Sequence, residues 1–269
     1  MKNTFVLDAS SNKDKIICHG YTMFFGDYDN DILTTGDGGI YSSVDDMFKL
    51  DRALHDNTLV KKSTLDEAFK PAKLNDGSLS NYGFGWASWE QDGKKFAAHA
   101  GELNGFNTFI LRQMTDDYTI IFLTNISGTQ RKAIDDGIYH IITGKPYIYP
   151  KIYAAKLIYQ KLNESDWNTA YSFYDSLKKS NDTNYIFSER VLNDLGYQLL
   201  NDNKLTDAVN VFKLNTIEYP RSSNTFESLG EAYMKLENND LAIESFKKAL
   251  EIDPDNKDAL SFMKKLQKN

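Results

Sequence analysis

Residues 189–222 and 223–256 align with each other over 34 positions without a gap. Leu195-Gly196 falls on Leu229-Gly230, Ala208 on Ala242, Phe212 on Phe246 and Pro220 on Pro254. A period of that length makes each copy one supersecondary unit, which buries its apolar face only by stacking on the next copy. Small residues at fixed places let two helices approach, and a late proline ends the second helix. An earlier, degraded copy spans 151–184, with Ala170 and Tyr174 in the small and aromatic places, and four residues are inserted before the next copy. Residues 257–268 add one amphipathic helix, with Ala259, Leu260, Phe262 and Met263 inward and lysines outward, which caps the stack. The second half, 149–269, is therefore expected to be an all-α domain that folds by itself.

The first half, 1–148, follows other periods. Phe96 to His99, Phe106 to Leu111 and Tyr118 to Thr124 are apolar runs separated by Gly-Glu-Leu-Asn-Gly and by Gln-Met-Thr-Asp-Asp, which predicts an antiparallel meander. Its first strand should end at His99-Ala100-Gly101, where a glycine lets a ligand approach the backbone. Tyr82-Gly83-Phe84-Gly85-Trp86 alternates aromatic and glycine and reads as a further strand of the same sheet, with Tyr82 and Trp86 as core aromatics. Ahead of it, Gly36 to Ser43 opens a helix capped by Ser42 or Ser43, with Asp45 and Asp46 favouring its N-terminus. That helix should run to about His55 and bury Met47, Leu50 and Leu54. A short helix follows at Ser63 to Phe69, stopped by Pro71. Gln130 to Thr143 should lay Ala133, Ile134, Ile138, Ile141 and Ile142 on one sheet face. Phe5 to Leu7 and Ile16 to Phe25 suit short extended segments, Asp37 suits a turn, and Cys18 reads as a small buried hydrophobe.

Charge narrows the partners. Basic against acidic residues number 15 and 20 up to Ile148, and 16 and 18 beyond it, so neither half offers the clustered cations that a nucleic acid needs. A single cysteine gives no internal disulfide, and the 4 histidines show no metal-ligand spacing. No cofactor is called for. The start, MKNTFVLDASSNKDK, has no apolar core of a signal peptide, and no run is long enough to span a bilayer.

The 34-residue offsets resemble the tetratricopeptide pattern. Repeats of that kind bind peptide or protein partners on a concave face lined by the first helix of each pair. Here those helices offer Asn193, Tyr197, Gln198, Glu227 and Glu231 as exposed candidates, without a cluster of basic residues to clamp a peptide carboxylate. In the first half, Gly36-Asp37-Gly38-Gly39-Ile40-Tyr41-Ser42-Ser43, Tyr82-Gly83-Phe84-Gly85-Trp86, His99-Ala100-Gly101 with Gly105-Phe106, and the strand from Ile120 to Asn125 occur in an order that resembles the C-terminal part of the serine β-lactamase and penicillin-binding-protein-like hydrolases, of the class C and esterase type. The fold class implied is α+β, a partial antiparallel sheet with helices, followed by the all-α repeats.

The resemblance implies amide or ester hydrolysis through an acyl-serine, on β-lactams, D-amino-acid peptides or small esters. It would place His99 in the site, leave room for substrate at Gly101, and make the backbone N–H of Glu102 an oxyanion donor. Two further elements match by letters only. Ser10-x-x-Lys13 lies in a polar stretch with no apolar helix after it, and Ser176, Ser245 and Ser261 also have a lysine three residues on. Tyr28-x-Asn30 falls where the family has a variable loop. The nucleophile-bearing lobe is thus expected to be supplied as a complementing N-terminal portion, and the chain alone to be inactive. Without it, the strand ending near Asn125 should be an exposed edge beside an uncovered apolar face. Family members are often periplasmic or extracytoplasmic, although the chain carries no export signal of its own. The alternative is a non-catalytic scaffold in which the repeats bind a partner and the lactamase-like lobe docks.

Overall fold

A computed structural model describes residues 1–6, 18–28, 38–147 and 149–266. The fold is mixed, an antiparallel sheet with helices followed by a run of helices. It divides into two compact units, Met1–Pro150 and Lys151–Asn269.

In the first unit, β1 (Phe5–Val6) pairs antiparallel with β2 (Ile40–Tyr41), ahead of α1 (Val44–His55) and α2 (Lys62–Ala68). The main sheet is a meander in the order β3 (Ala87–Gln91), β4 (Lys94–Leu103), β5 (Phe106–Gln113), β6 (Tyr118–Thr124), and α3 (Arg131–Ile142) follows it. The two faces of the sheet differ in chemistry. Phe96, Ala98, Phe109, Leu111 and Ile120 form an apolar layer on which Ile138 and Tyr139 of α3 pack. The opposite face carries Arg112, which is buried and donates from Nε to Oδ1 of the equally buried Asp51 of α1 at 2.7 Å. Arg52 donates to the other Asp51 oxygen at 2.6 Å, so both carboxylate oxygens are matched, as burial of a charge requires.

Several local expectations are corrected. Tyr82 to Trp86 is no strand. Gly85 takes φ +79 and the Gly83 N–H donates to the Trp86 carbonyl, so the alternating glycines build a turn, and the strand begins only at Ala87. His99 does not end its strand either. β4 continues to Leu103 because the turn is only Asn104-Gly105, with Gly105 at φ +76 and packed on the backbone of Gly20. On α1, Ser43 caps the helix as expected, accepting from the Asp46 N–H at 3.2 Å, yet the fully buried residues are Asp46 and Asp51. Met47, Leu50 and Leu54 are only half-buried. Ile141 and Ile142 are exposed, since the packed part of α3 ends with Ile138 and Tyr139. Cys18 is exposed rather than buried. Its segment is anchored further on by Met23 and Phe24, and by Tyr21, whose N–H donates to the Asn125 carbonyl.

The second unit holds three helix pairs, α4 (Ala154–Glu164) with α5 (Trp167–Ser180), α6 (Glu189–Asn201) with α7 (Leu205–Glu218), and α8 (Ser223–Lys235) with α9 (Asn239–Ile252). A last helix, α10 (Lys257–Leu266), packs on α9, stacking Phe262 on Phe246 at 5.2 Å. The small and aromatic places of the repeat meet as the period requires. A Cβ on Gly196 would overlap the ring of Phe212, and one on Gly230 the ring of Phe246. The four inserted residues also have a use. Tyr185–Ile186 pairs in parallel with Ile152–Tyr153, tying the start of the first copy to its end.

Candidate active site

The site expected from sequence falls on β4, and the geometry there follows from which way its backbone groups point. Lys95 donates its N–H to Thr115 and accepts on its carbonyl from Met114, both from the β5 side. Strand backbone groups alternate with period two. Ala97, His99 and Gly101 therefore also turn their backbone groups to β5, where the Gly101 carbonyl accepts from Thr108 Oγ1 at 3.4 Å. Ala98, Ala100 and Glu102 turn theirs to the β3 side. β3 ends at Ala87, opposite Ala98. Beyond that point, among the described residues, β4 has no strand partner on this side, and the N–H of Glu102 faces an open edge.

The side chain of His99 points to the sheet face of Arg112, away from α3. It is exposed, and its Nδ1 lies 2.6 Å from the Gly85 carbonyl oxygen and 3.0 Å from Tyr82 Oη. A carbonyl only accepts, so Nδ1 carries the ring proton, and Nε2 of the neutral imidazole is left as an acceptor. The glycine turn that replaced the expected strand is what presents that carbonyl. Tyr82, read from sequence as a core aromatic, is 41% exposed and belongs to this cluster. The signal that would have found it is the spacing of Gly83 and Gly85, which suits a turn as well as a bare strand face. At Gly101 the missing Cβ makes room for the Thr108 hydroxyl, which a side chain would overlap. Glu102 is exposed, and its side chain is separate from the His99 cluster by the same alternation.

The other sequence motifs stand apart from this cluster. Ser10, Lys13, Asn30, Gly36 and Asp37 lie outside the described residues. Ser176 and Ser245 donate their hydroxyls to the carbonyls of Phe173 and Leu241 in their own helices, at 2.7 and 2.8 Å. The described residues hold no group of three or more His, Cys, Asp or Glu placed to hold a metal ion. None of their helices is long and apolar enough to cross a membrane.

On the repeat helices two expected surface residues are buried. Gln198 is 6% exposed and donates to Asp202 at 2.8 Å, and Glu227 is 8% exposed. Asn193, Tyr197 and Glu231 are half-buried.

Comparison with known proteins agrees with both halves. The beta-lactamase family model matches residues 7–144, about half of the chain, and the tetratricopeptide repeat model matches 224–256. Penicillin-binding protein 4* of Bacillus subtilis is 33% identical over 119 residues, which cover 43% of this chain and 26% of that protein. The D-aminopeptidase of Gluconobacter oxydans is 27% identical over 96 residues, covering 36% of this chain and 18% of the relative. The chain thus spans about a quarter or less of these relatives' lengths. Among solved structures, the octameric penicillin-binding protein homologue from Pyrococcus abyssi aligns over 53% of this chain and 34% of that one, at 22% identity and a TM-score of 0.43. The chain belongs to the beta-lactamase family and carries tetratricopeptide repeats in its second half.

Proposed function

We propose that residues 1–148 supply the substrate-binding edge of an acyl-serine hydrolase, and that residues 149–269 serve as its protein-interaction module. The observation that carries the reading is the open edge of β4 after Ala98, toward which the Glu102 N–H is turned, beside an imidazole whose Nε2 is an acceptor. A substrate amide or ester lies along that edge. As a serine oxygen adds to its carbonyl carbon, negative charge develops on the carbonyl oxygen, and the Glu102 N–H donates to it. A fixed donor of this kind supplies roughly 2.7–4 kcal/mol to the transition state. Collapse of the adduct expels the amine or alcohol, and water then releases the acid. His99 orients the substrate through Nε2, held by Gly85 and Tyr82, and Gly101 keeps the strand flat against β5.

D-amino-acid peptides are the substrate class favoured here, because relatives are D-aminopeptidases by name. The nucleophile and its base lie outside the described residues, so β4 binds and polarises but breaks no bond alone. Ser10 and Lys13 are assigned no catalytic part.

The test is a pair of measurements on the purified chain. Intact-mass analysis after treatment with a fluorophosphonate and a fluorescent penicillin should show no adduct, and a stoichiometric adduct on Ser10 would overturn the assignment of the nucleophile. Titration of the ¹⁵N-labelled chain with D-alanyl-D-alanine should shift the Glu102 amide and the His99 ring in the native chain, and should shift the Glu102 amide much less in His99→Gln. Unmoved Glu102 and His99 signals would sink the proposed edge.

A further inference from the structure

The turn from Tyr82 to Trp86 does more than present a carbonyl. Two of its residues, Tyr82 and Gly85, meet one atom, the Nδ1 of His99, at 3.0 and 2.6 Å. Phe84 lies between them in the chain. Its own N–H donates to the Ala68 carbonyl at the end of α2 at 2.9 Å, and the Gly83 N–H closes the turn on the Trp86 carbonyl at 2.8 Å. The turn is seated tightly on α2, since a Cβ on Gly83 would come 2.2 Å from the Ala68 oxygen and 2.6 Å from that of Lys70. The backbone at Phe84 is thereby held by α2, by the turn itself and by His99.

The side chain at that fixed point faces solvent. Phe84 is 73% exposed, and among the described residues no aromatic ring or cation packs on it. The inner place of the turn is taken by Trp86, which stands edge-on to Phe69 at 5.5 Å, with the Arg112 guanidinium 6.0 Å from the same Phe69 ring. Single exposed apolar residues are ordinary on a protein surface. Phe84 differs because its backbone cannot move to hide the ring, and because the half-exposed Tyr82 sets a second ring 6.3 Å from the same imidazole. The neighbouring surface suits an extended chain. Side chains alternate along β4, so His99, Gly101 and Leu103 share one face, and Gly101 adds no side chain between the imidazole and the exposed Leu103. At about 3.3 Å per residue, the Glu102 N–H lies roughly 9 Å along the strand from His99. A substrate carbonyl held by that N–H therefore brings a neighbouring residue, rather than its own, to Phe84.

We propose that Phe84 is a specificity-determining residue, the wall of a subsite for an aromatic side chain that the substrate carries next to the residue whose carbonyl Glu102 receives. The inference rests on the reading of β4 as the substrate-binding edge and gives the peptides expected there a side-chain class. A ring whose backbone is already fixed packs on the substrate with little further ordering, which favours binding.

The experiment is a titration of the full ¹⁵N-labelled chain with three N-acetylated tripeptides: D-Ala-D-Ala-D-Ala, and the same peptide with D-Phe at its first or at its last position. At least one D-Phe peptide should bind roughly fivefold or more tighter than the all-alanine peptide, read from the Glu102 amide, as an added aromatic contact and its buried area predict. The D-Phe ring of that peptide should show nuclear Overhauser contacts to the Phe84 ring. Phe84→Ala should abolish the preference while leaving the affinity for the all-alanine peptide within about twofold, as a surface substitution does. Ile217→Ala removes an apolar side chain of similar exposure in the second unit and should change neither. Since the Phe84 ring is exposed, its removal should leave the far-UV circular dichroism of the chain unchanged. Equal binding of the three peptides, or a preference that survives Phe84→Ala, would overturn the inference and leave the β4 edge standing. Glu102 and His99 signals unmoved by every peptide would sink the edge and the subsite together.

Discussion

The phenol oxygen of Tyr82 stands 3.0 Å from Nδ1 of His99, the same nitrogen that meets the Gly85 carbonyl at 2.6 Å. The shorter contact decides the proton's place, so the hydroxyl oxygen only shares it. Tyr82→Phe should leave Nδ1 protonated in the neutral ring and Nε2 bare, which long-range ¹H–¹⁵N correlation reads directly. Because Tyr82 is 41% exposed, loss of its hydroxyl should change the unfolding free energy by no more than about 1 kcal/mol. A proton found on Nε2 of neutral His99 would undo the assignment.

The glycines at 196 and 230 give a second expectation. Alanine in a helix interior ordinarily gains about 1 kcal/mol over glycine. Here the new methyl would strike the rings of Phe212 and Phe246, both fully buried and unable to swing away. Overpacking of that kind costs roughly 1–3 kcal/mol. Gly196→Ala and Gly230→Ala should each destabilise the second unit, by similar amounts since the contacts are equivalent, and Phe212→Leu should partly rescue Gly196→Ala. Urea titration followed by circular dichroism measures all three. A stabilised Gly196→Ala would mean the ring yields.

Those glycines also show why the second half was readable in advance. A period of 34 fixes where helices lie and which places are equivalent, so Gly196 aligns with Gly230 and Phe212 with Phe246, while the contact of Gly196 with Phe212 appears only in the fold. What the pattern left open was depth. Glu227, as a charged residue, read as exposed, and only its helix face buries it. The first half was less open to reading because its decisive contacts are long-range. Asp46 is matched by Asn3 and Thr4, and Asp51 by Arg112, partners that no local window brings together. Tyr82 to Trp86 misled because glycine at alternate places imitates a strand of period two. Asp92-Gly93 was the opposite case. Both take positive φ, 54 and 71, and they join β3 to β4 in the two-residue turn that Asp-Gly favours, a signal present in the sequence and passed over.

Two carboxylates of the first unit should bend its pH-stability profile in opposite directions. Asp46 is held down to about 2 by the Lys49 ammonium, and by donors from Asn3 and Thr4, against an ordinary value of 3.8. A depressed folded value means that its contribution is present above pH 3.8 and is lost as pH falls toward 2. Asp135 on α3 is raised to about 7 by burial, with one oxygen sealed and unmatched. There the folded form holds its proton more tightly, so stability is greatest below pH 3.8, falls as pH rises to about 7, and is level above. Trp86 and Trp89 report on this unit, and Trp167→Phe silences the other one. In that background, denaturation midpoints should drop below pH 4 and also decline between about pH 4 and pH 7. Asp46→Asn should remove the acid drop at a cost in midpoint at neutral pH. Asp135→Asn should remove the decline and raise the midpoint at pH 8. A decline that survives Asp135→Asn would assign it to another group.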